Sequence, residues 1–205
     1  MNRFNVHDQS GGSPVPEPDE YWQQLQNAAT NYASHGWPVV PGVHIGDHRA
    51  GWWPLPDSTA WPLQEPLDTN AISHYWQKRP YAILLATGYA FRIIALSEPL
   101  AVRIFTTMNK LSQVGPVALF PEGPWTFFIG ADSPLPVDLL GRSNVRHYGL
   151  GMSVPAAPTQ IGGHHIRWLI PPEKVSWQLF DTSDFYDLIR FTLGDAMSNE
   201  ATPRT

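Results

Sequence analysis

The stretch that decides the fold is YAILLATGYAFRIIAL, residues 81–96. It holds two short apolar runs, residues 81–87 and residues 91–96, and Gly88 follows directly after the first. Short apolar runs bounded by a turn signal are typical of buried strands, because the helices of soluble domains are usually longer. The sequence therefore predicts two buried strands joined at Gly88.

Helical periodicity lies on both sides of these strands. Residues 19–34 carry apolar side chains at the spacing of one helix face, and Gly36 is placed to end that helix. Three more helices are predicted on the same grounds: residues 69–79 after a cap at Asp68 or Thr69, residues 101–111, and a last one capped by Ser183.

The remaining strand candidates are short and apolar or alternating. They lie at residues 37–41, 116–120, 125–130, 145–148, 152–155 and 165–170. The order helix, strands, helix, strands, helix predicts an α+β fold rather than a barrel or a bundle.

The composition fits one loop-rich domain. Of the 205 residues, 42% are hydrophobic and only 15% are charged, which excludes disorder by charge excess over most of the chain. The 16 glycines and 21 prolines favour many turns and short elements. We expect a disordered leader at residues 1–17, a single domain at residues 18–197 and a flexible tail at residues 198–205.

Charge and cysteine content limit the possible functions. Thirteen basic and eighteen acidic residues leave a formal net charge of −5, whereas dedicated duplex-DNA binders usually carry a basic excess. The chain has no cysteine, which excludes disulfides, thiolate metal sites and a cysteine nucleophile. No apolar run is long enough to span a bilayer, and the first residues lack the apolar core of a signal peptide. We therefore expect a cytoplasmic protein without a membrane partner.

The irregular loop before the second predicted helix holds two candidate sites. His44, Asp47 and His48 are residue types that bind divalent metals, but the glycines around them argue against a helix that would hold them together. A solvated loop is the favoured interpretation. The pair Trp52-Trp53 either packs as a lid over the sheet or forms a surface that binds a protein partner.

Motifs of common enzyme classes are absent from the chain. It contains no G-x-S-x-G elbow, no G-x-G-x-x-G fingerprint and no Walker A loop. Arg142, Arg146 and Arg167 could meet a phosphate, although arginines on a strand face are more often solvated. His164 and His165 are neighbours on a predicted strand and point to opposite faces, which leaves one of them able to face a pocket. The residue types alone do not identify an enzyme class.

Five segments follow one another in an order known from one family. They are YASHGWPVVP at residues 32–41, YWQKRP at 75–80, LATG at 85–88, VPAAPT at 154–159 and GGHHIRW at 162–168. Together they resemble the bifunctional DNA primase/polymerase (prim-pol) domain of the archaeo-eukaryotic primase superfamily, which often opens with Y-A-x-x-G-W-x-V-x-P. The resemblance covers roughly residues 24–172 and implies a mixed or antiparallel sheet with flanking helices.

The resemblance also implies where catalysis would occur, and the required residues are missing there. The family's polymerases carry Asp-x-Asp on the strand after the Thr-Gly, and those two carboxylates hold divalent metals. Ala95 and Ser97 stand at these positions here. Thr126 stands where the family has a histidine, and Arg146 where it has a further acidic residue. Without paired carboxylates the metals that clamp the reacting phosphate are not held, so the resemblance implies a non-catalytic relative that needs no cofactor.

The interpretation we favour is a prim-pol-like protein that weakly binds a nucleotide or single-stranded nucleic acid, or binds a protein partner. Its candidate ligand-binding residues are Ala95, Ser97, Glu98, Glu122, Trp125, Thr126, Arg146, His165 and Arg167. Glu98 is expected on the strand face opposite Ser97. Two alternatives stay open. One is an active primase/polymerase in which Glu98, Glu122 or Asp138 holds Mg²⁺, and the other is an unrelated α+β interaction module with a coincidental resemblance.

Overall fold

The computed structural model describes residues 19–43, 54–57, 68–111, 113–121, 123–132 and 134–200, the side chains of residues 195–200 excepted. The α-helices of this part of the chain are α1 (Glu20–Ser34), α2 (Thr69–Trp76), α3 (Glu98–Lys110) and α4 (Thr182–Glu200). None of the helices in the described ranges is long and apolar enough to cross a membrane. The expected leader and most of the long loop lie outside these ranges, so both stay predictions.

The strands of the described residues form two sheets and one small hairpin. They are β1 (Val39–Val43), β2 (Leu55–Pro56), β3 (Ala82–Ala86), β4 (Arg92–Leu96), β5 (Val117–Leu119), β6 (Trp125–Ile129), β7 (Val145–Tyr148), β8 (Ser153–Pro155), β9 (Gln160–Ile161), β10 (His164–His165) and β11 (Arg167–Ile170). Sheet I has the order β2-β1-β3-β8, sheet II has the order β11-β5-β6-β4-β7, and β9 pairs with β10. All these strand pairings are antiparallel, which together with the helices confirms the α+β fold.

The helix caps confirm the sequence prediction at Asp68 and correct the one at Ser183. The Asp19 and Asp68 side chains accept hydrogen bonds from backbone N–H groups in the first turns of α1 and α2, as expected for N-caps. The expectation that Ser183 caps the last helix is wrong. The helix begins one residue earlier, and the Asp181 carboxylate accepts the N–H of Asp184 at 2.9 Å.

The two strands that decide the fold belong to different sheets. Strand β3 lies inside sheet I and β4 lies inside sheet II, so the turn at Gly88 carries the chain from one sheet to the other. Gly88 has a φ of +96°, and a Cβ atom there would lie 2.3 Å from Cα of Leu150. Only glycine fits this crossing.

Sheet II carries an apolar core on each face. Side chains alternate along β4, so Ile93 and Ala95 join one core while Ile94 and Leu96 join the other. The first core lies between sheet I, sheet II, α1 and α2, and the second lies under α3 and α4. Aromatic rings fill much of the first core, where Trp37 stacks on Phe128 with ring centroids 5.0 Å apart. Sheet II is therefore the rigid platform on which any site at its ends is built.

Candidate ligand-binding cleft

One register row crosses three neighbouring strands of sheet II. Ala95 on β4 lies directly opposite Thr126 on β6 and directly opposite Arg146 on β7. Residues paired in this way share a face of the sheet, with Cβ atoms about 5 Å apart. The structure therefore brings together three positions that are far apart along the chain, and we call them the Ala95 row.

An open cleft of about 710 Å³ lies beside the Ala95 row, at the end of β4 where α3 begins. Its charged lining residues within the described part of the chain are Glu98, Arg146 and Arg167. Ala95 lines the cleft and is itself almost fully buried. The cleft thus has an apolar floor and charged groups at its margins.

Thr126 does not offer its hydroxyl to the cleft. The residue is only 1% exposed, and its Oγ1 donates a hydrogen bond to the carbonyl oxygen of Ala118 at 3.1 Å. A buried hydroxyl satisfied by the neighbouring strand is part of the sheet rather than a ligand-binding group. The prediction of Thr126 as a lining residue finds no support in this geometry.

Ser97 and Glu98 both line the cleft, which corrects the expectation that they face opposite sides. The strand ends at Leu96, and Ser97 is already the N-cap of α3. The Ser97 N–H donates to the carbonyl oxygen of Asn144 at 3.1 Å, and its hydroxyl makes no capping hydrogen bond. Strand alternation stops applying at Leu96 because the backbone turns into a helix there.

Arg146 and Arg167 supply the positive charge of the cleft. Both side chains are exposed, and they lie on β7 and β11, the two edge strands of sheet II. A hydrogen bond with Tyr148 raises the pKa of Arg146 further above its already high ordinary value. Both guanidinium groups are charged at any physiological pH.

A model of the family described as bifunctional DNA primase/polymerase, N-terminal, matches residues 29–177. The chain belongs to the prim-pol family. The match covers more than half of the chain, and the alternative of an unrelated module with a coincidental resemblance is therefore wrong. A comparison with curated proteins found no match.

A divalent metal, which the resemblance implies for polymerases of this family, does not fit the residues of this prim-pol cleft. Magnesium is bound by oxygen ligands in octahedral geometry, usually including carboxylates. Ala95 has no ligand atom, the Thr126 hydroxyl is engaged by the sheet, and Arg146 repels a cation. Among the described lining residues only Glu98 is a carboxylate, and no group of three or more potential ligands gathers anywhere in the described ranges.

Trp125 of the prim-pol domain lies at the cleft margin, but its ring is engaged elsewhere. The ring packs edge-on against Phe105 of α3, with centroids 5.8 Å apart, and joins the core under that helix. Strand alternation places it on the face opposite Thr126. The Trp125 ring therefore contributes to the packing of α3 on sheet II.

His165 lines a second cavity of about 470 Å³ next to the cleft. Its Nδ1 lies 2.8 Å from the carbonyl oxygen of Pro158, and because a carbonyl only accepts, Nδ1 carries a proton. Its Nε2 lies 2.9 Å from Nε2 of the Gln160 side-chain amide. These contacts fix the ring at the margin of what we call the hairpin cavity, after the β9-β10 hairpin.

Asp138 is not brought to the cleft. It lies in a 3₁₀ turn (Val137–Leu139), and Arg190 of α4 donates to both carboxylate oxygens at 2.8 and 3.0 Å. These hydrogen bonds lower the pKa of the Asp138 carboxyl. The pair lines a separate small cavity of about 240 Å³, so Asp138 stands apart from the Ala95 row.

Several candidates lie outside the described residues. They are Glu122, the trio His44, Asp47 and His48, and the pair Trp52-Trp53. Their predicted roles, including a protein partner at Trp52-Trp53, stay predictions.

Sequence reasoning missed the polar residues that precede β7. Ser143 and Asn144 line the cleft, and the Asn144 carbonyl oxygen holds the first turn of α3 in place. No motif marks them, and only the pairing of β4 with β7, which continues into the Ser97 N–H to Asn144 carbonyl hydrogen bond, could have pointed to the cleft. Leu119 and Phe120 were missed for the same reason.

Proposed function

We propose that this prim-pol domain does not catalyse metal-dependent nucleotidyl transfer and instead binds a nucleotide or single-stranded nucleic acid in the cleft without a divalent metal. The Ala95 row carries the proposal. It places an alanine, an engaged threonine and an arginine side by side where the resemblance calls for a metal-binding aspartate, a histidine and a further acidic residue.

The chemistry of the row supports the loss of catalysis. Phosphoryl transfer depends on metal ions that stabilise the attacking and leaving oxygens, and carboxylates hold those ions. Losing such electrostatic stabilisation costs several kcal/mol of barrier, which lowers the rate about a thousandfold or more. Glu98, the one carboxylate among the described lining residues, does not replace a pair.

The same residues support binding. A guanidinium group forms paired hydrogen bonds with phosphate oxygens and needs no bridging metal. Arg146 projects beside the cleft from a strand anchored in sheet II, and Arg167 lines the opposite side. Arg146 therefore supplies the positive charge that a metal ion would supply in a polymerase of this kind.

Primer extension tests the catalytic half of the proposal. We expect no extension of a primed template with Mg²⁺ or Mn²⁺. The comparison is a variant carrying both Glu98→Gln and Glu122→Gln, which removes the carboxylates next in sequence to the cleft residues Ser97 and Gly123. Template-dependent extension that disappears in this variant would show an active enzyme with relocated metal ligands. Extension that persists in the variant marks a contaminating polymerase and leaves the proposal standing.

Nucleotide binding in the presence of EDTA tests the other half. We expect weak binding of a deoxynucleoside triphosphate that does not increase when Mg²⁺ replaces EDTA. Arg146→Ala removes a charge-assisted hydrogen bond and should weaken binding about tenfold or more. Lys110→Ala is the matched control, because Lys110 ends α3, about 18 Å along the helix from Glu98. Binding that requires Mg²⁺ and ignores Arg146 would contradict the proposal.

A further inference from the structure

Arg92 and His147 lie on the face of sheet II that packs under α3 and α4. Arg92 is paired with Ile129 and His147 with Ile94, and both of these partners belong to the core under those helices. Arg92 begins β4, whereas the cleft lies at the other end of that strand, beyond Leu96. Neither Arg92 nor His147 is among the described lining residues of the cleft, so the two form a separate location.

Gly149 gives the His147 ring room beside Arg92. Tyr148 is the last residue of β7 and lies opposite Ile93, so the following residue, Gly149, comes opposite Arg92. A Cβ atom on Gly149 would lie 2.7 Å from Cε1 of His147. The imidazole therefore occupies the space that a side chain opposite Arg92 would take, and the two side chains are neighbours.

Each of these side chains has a buried nitrogen without a hydrogen-bond partner among the described residues. The two atoms are Nε of Arg92 and Nε2 of His147. None of the ion pairs in the described ranges includes Arg92. A buried polar atom left unpaired destabilises a fold, and a bound water or ion commonly accounts for such atoms in native proteins. Both side chains are only half-buried as a whole and lie at the β7 edge of the sheet, so part of each contacts solvent.

The ionisable groups around His147 come from three elements. Burial, and secondarily the charge of Arg92 on β4, lower the pKa of His147. On α4, burial raises the pKa of Tyr186, and the charges of Arg92 and Asp132 modify it in opposite directions. Asp132 is exposed, and its Oδ1 accepts a hydrogen bond from the Thr182 hydroxyl at 2.8 Å. Arg92 thus has a titratable base beside it and no carboxylate paired with it.

From this arrangement we infer that Arg92 and His147 bind a doubly charged oxyanion of the phosphate type, at a site separate from the cleft. The guanidinium donates to the anion's oxygens, and the imidazole donates a second charged hydrogen bond once both of its nitrogens carry protons. Two positive partners match a dianion, whereas a carboxylate needs only one of them. Binding therefore takes up one proton from solvent on His147, and the affinity rises as the pH falls.

Histidine proton NMR in sulfate and in chloride at equal ionic strength tests the inference. Sulfate is the probe because it keeps its double charge across the pH range used. The His147 signal is identified by its absence in His147→Gln. Sulfate should shift this signal with a dissociation constant of about 1 mM, as expected for two charge-assisted hydrogen bonds. The affinity should be about tenfold higher at pH 5.5 than at pH 8, because an adjacent anion favours the protonated imidazole.

Variants of Arg92 separate a specific site from a general effect of salt. Arg92→Gln should weaken the binding of sulfate at His147 about tenfold or more, and Arg92→Lys should retain part of it because the charge remains. Arg103→Gln is the matched control, since Arg103 is exposed on α3 and should leave the response of His147 unchanged. Thermal melting in chloride confirms that each variant is folded.

A His147 signal that responds to sulfate no more than to chloride would overturn the inference. A response that persists in Arg92→Gln, or that does not vary with pH, would do the same. Acetate that shifts the signal as strongly as sulfate would contradict the assignment to a dianion. Binding of inorganic phosphate or of methyl phosphate supports the inference, and the tighter of the two distinguishes a free ion from a phosphate ester. The proposed function is independent of these outcomes, because it is tested by nucleotide binding at Arg146.

Discussion

Replacing Tyr32 by phenylalanine would remove one oxygen atom from the junction between α1, sheet II and the segment that follows β8. The Tyr32 hydroxyl donates to the carbonyl oxygen of Ala157 at 2.7 Å and accepts from the Trp168 indole nitrogen at 2.9 Å. Burial raises the pKa of Tyr32, so the hydroxyl keeps the proton that it donates. Trp168 follows Arg167 on β11, so this junction lies next to a lining residue of the cleft.

The expected loss in the free energy of unfolding follows from the two hydrogen-bond partners that Tyr32→Phe leaves unpaired. Tyr32 is 3% exposed, so the ring remains packed in phenylalanine and no cavity forms. An unsatisfied buried donor or acceptor costs about 1–3 kcal/mol. Because the Ala157 carbonyl and the half-buried Trp168 indole are both left unpaired, we expect a loss of about 2–4 kcal/mol in the free energy of unfolding.

Urea unfolding followed by tryptophan fluorescence measures this loss. The melting temperature should fall by about 2–4 °C for each kcal/mol. Tyr89→Phe is the matched control, because Tyr89 is 57% exposed and should lose less than about 0.5 kcal/mol. The variant carrying both Tyr32→Phe and Trp168→Phe should lose less than the two single variants added together, since both changes remove the same hydrogen bond. A Tyr32→Phe variant as stable as the Tyr89→Phe control would refute this reasoning.

Three further predictions concern the turn between the sheets, a half-buried histidine and the ion pair outside the cleft. Gly88→Ala should cost more than about 4 kcal/mol or prevent folding, because the new Cβ would meet the Leu150 backbone; thermal melting measures it. Burial, and secondarily the charge of Arg92, lower the pKa of His147, so the unfolded chain binds its proton more readily. The stability that neutral His147 contributes is therefore present above about pH 6.5 and decreases as the pH falls below it. Between pH 5 and 7, the free energy of unfolding of a His147→Gln variant should depend less on pH than that of the unmodified chain. Asp138→Asn should leave the melting temperature nearly unchanged, because its ion pair is exposed, and should leave oligonucleotide binding unchanged; a clear loss of binding would place Asp138 in the site.

The secondary structure could be predicted where the signal is local. The apolar face of α1 and the cap at Asp68 depend on residues within a few positions of each other, and both are confirmed. The start of α4 was placed wrongly because Asp181, Thr182, Ser183 and Asp184 are all capping residue types. Periodicity cannot choose among four such neighbours, whereas the packing of the helix on sheet II can.

The candidate site was predicted in part, and the errors share one cause. Ala95, Ser97, Arg146 and Arg167 do line one cleft, while the Thr126 side chain turns to a neighbouring carbonyl. Each such outcome depends on strand register and on where a strand ends. Neither quantity is encoded within a short window of sequence, because register is set by the packing of distant segments.

The sequence by itself determined the kinds of chemistry available to this prim-pol domain. It contains no cysteine and has a net charge of −5, and alanine, serine, threonine and arginine stand where the resemblance calls for two aspartates, a histidine and a further acidic residue. Only the tertiary structure decided how those residues act together. Strand order places Arg146 and Arg167 at opposite edges of sheet II, and register places Ala95 between Thr126 and Arg146. The physical reason is that antiparallel pairing and the burial of both sheet faces join segments far apart in the chain, and no local preference specifies that arrangement.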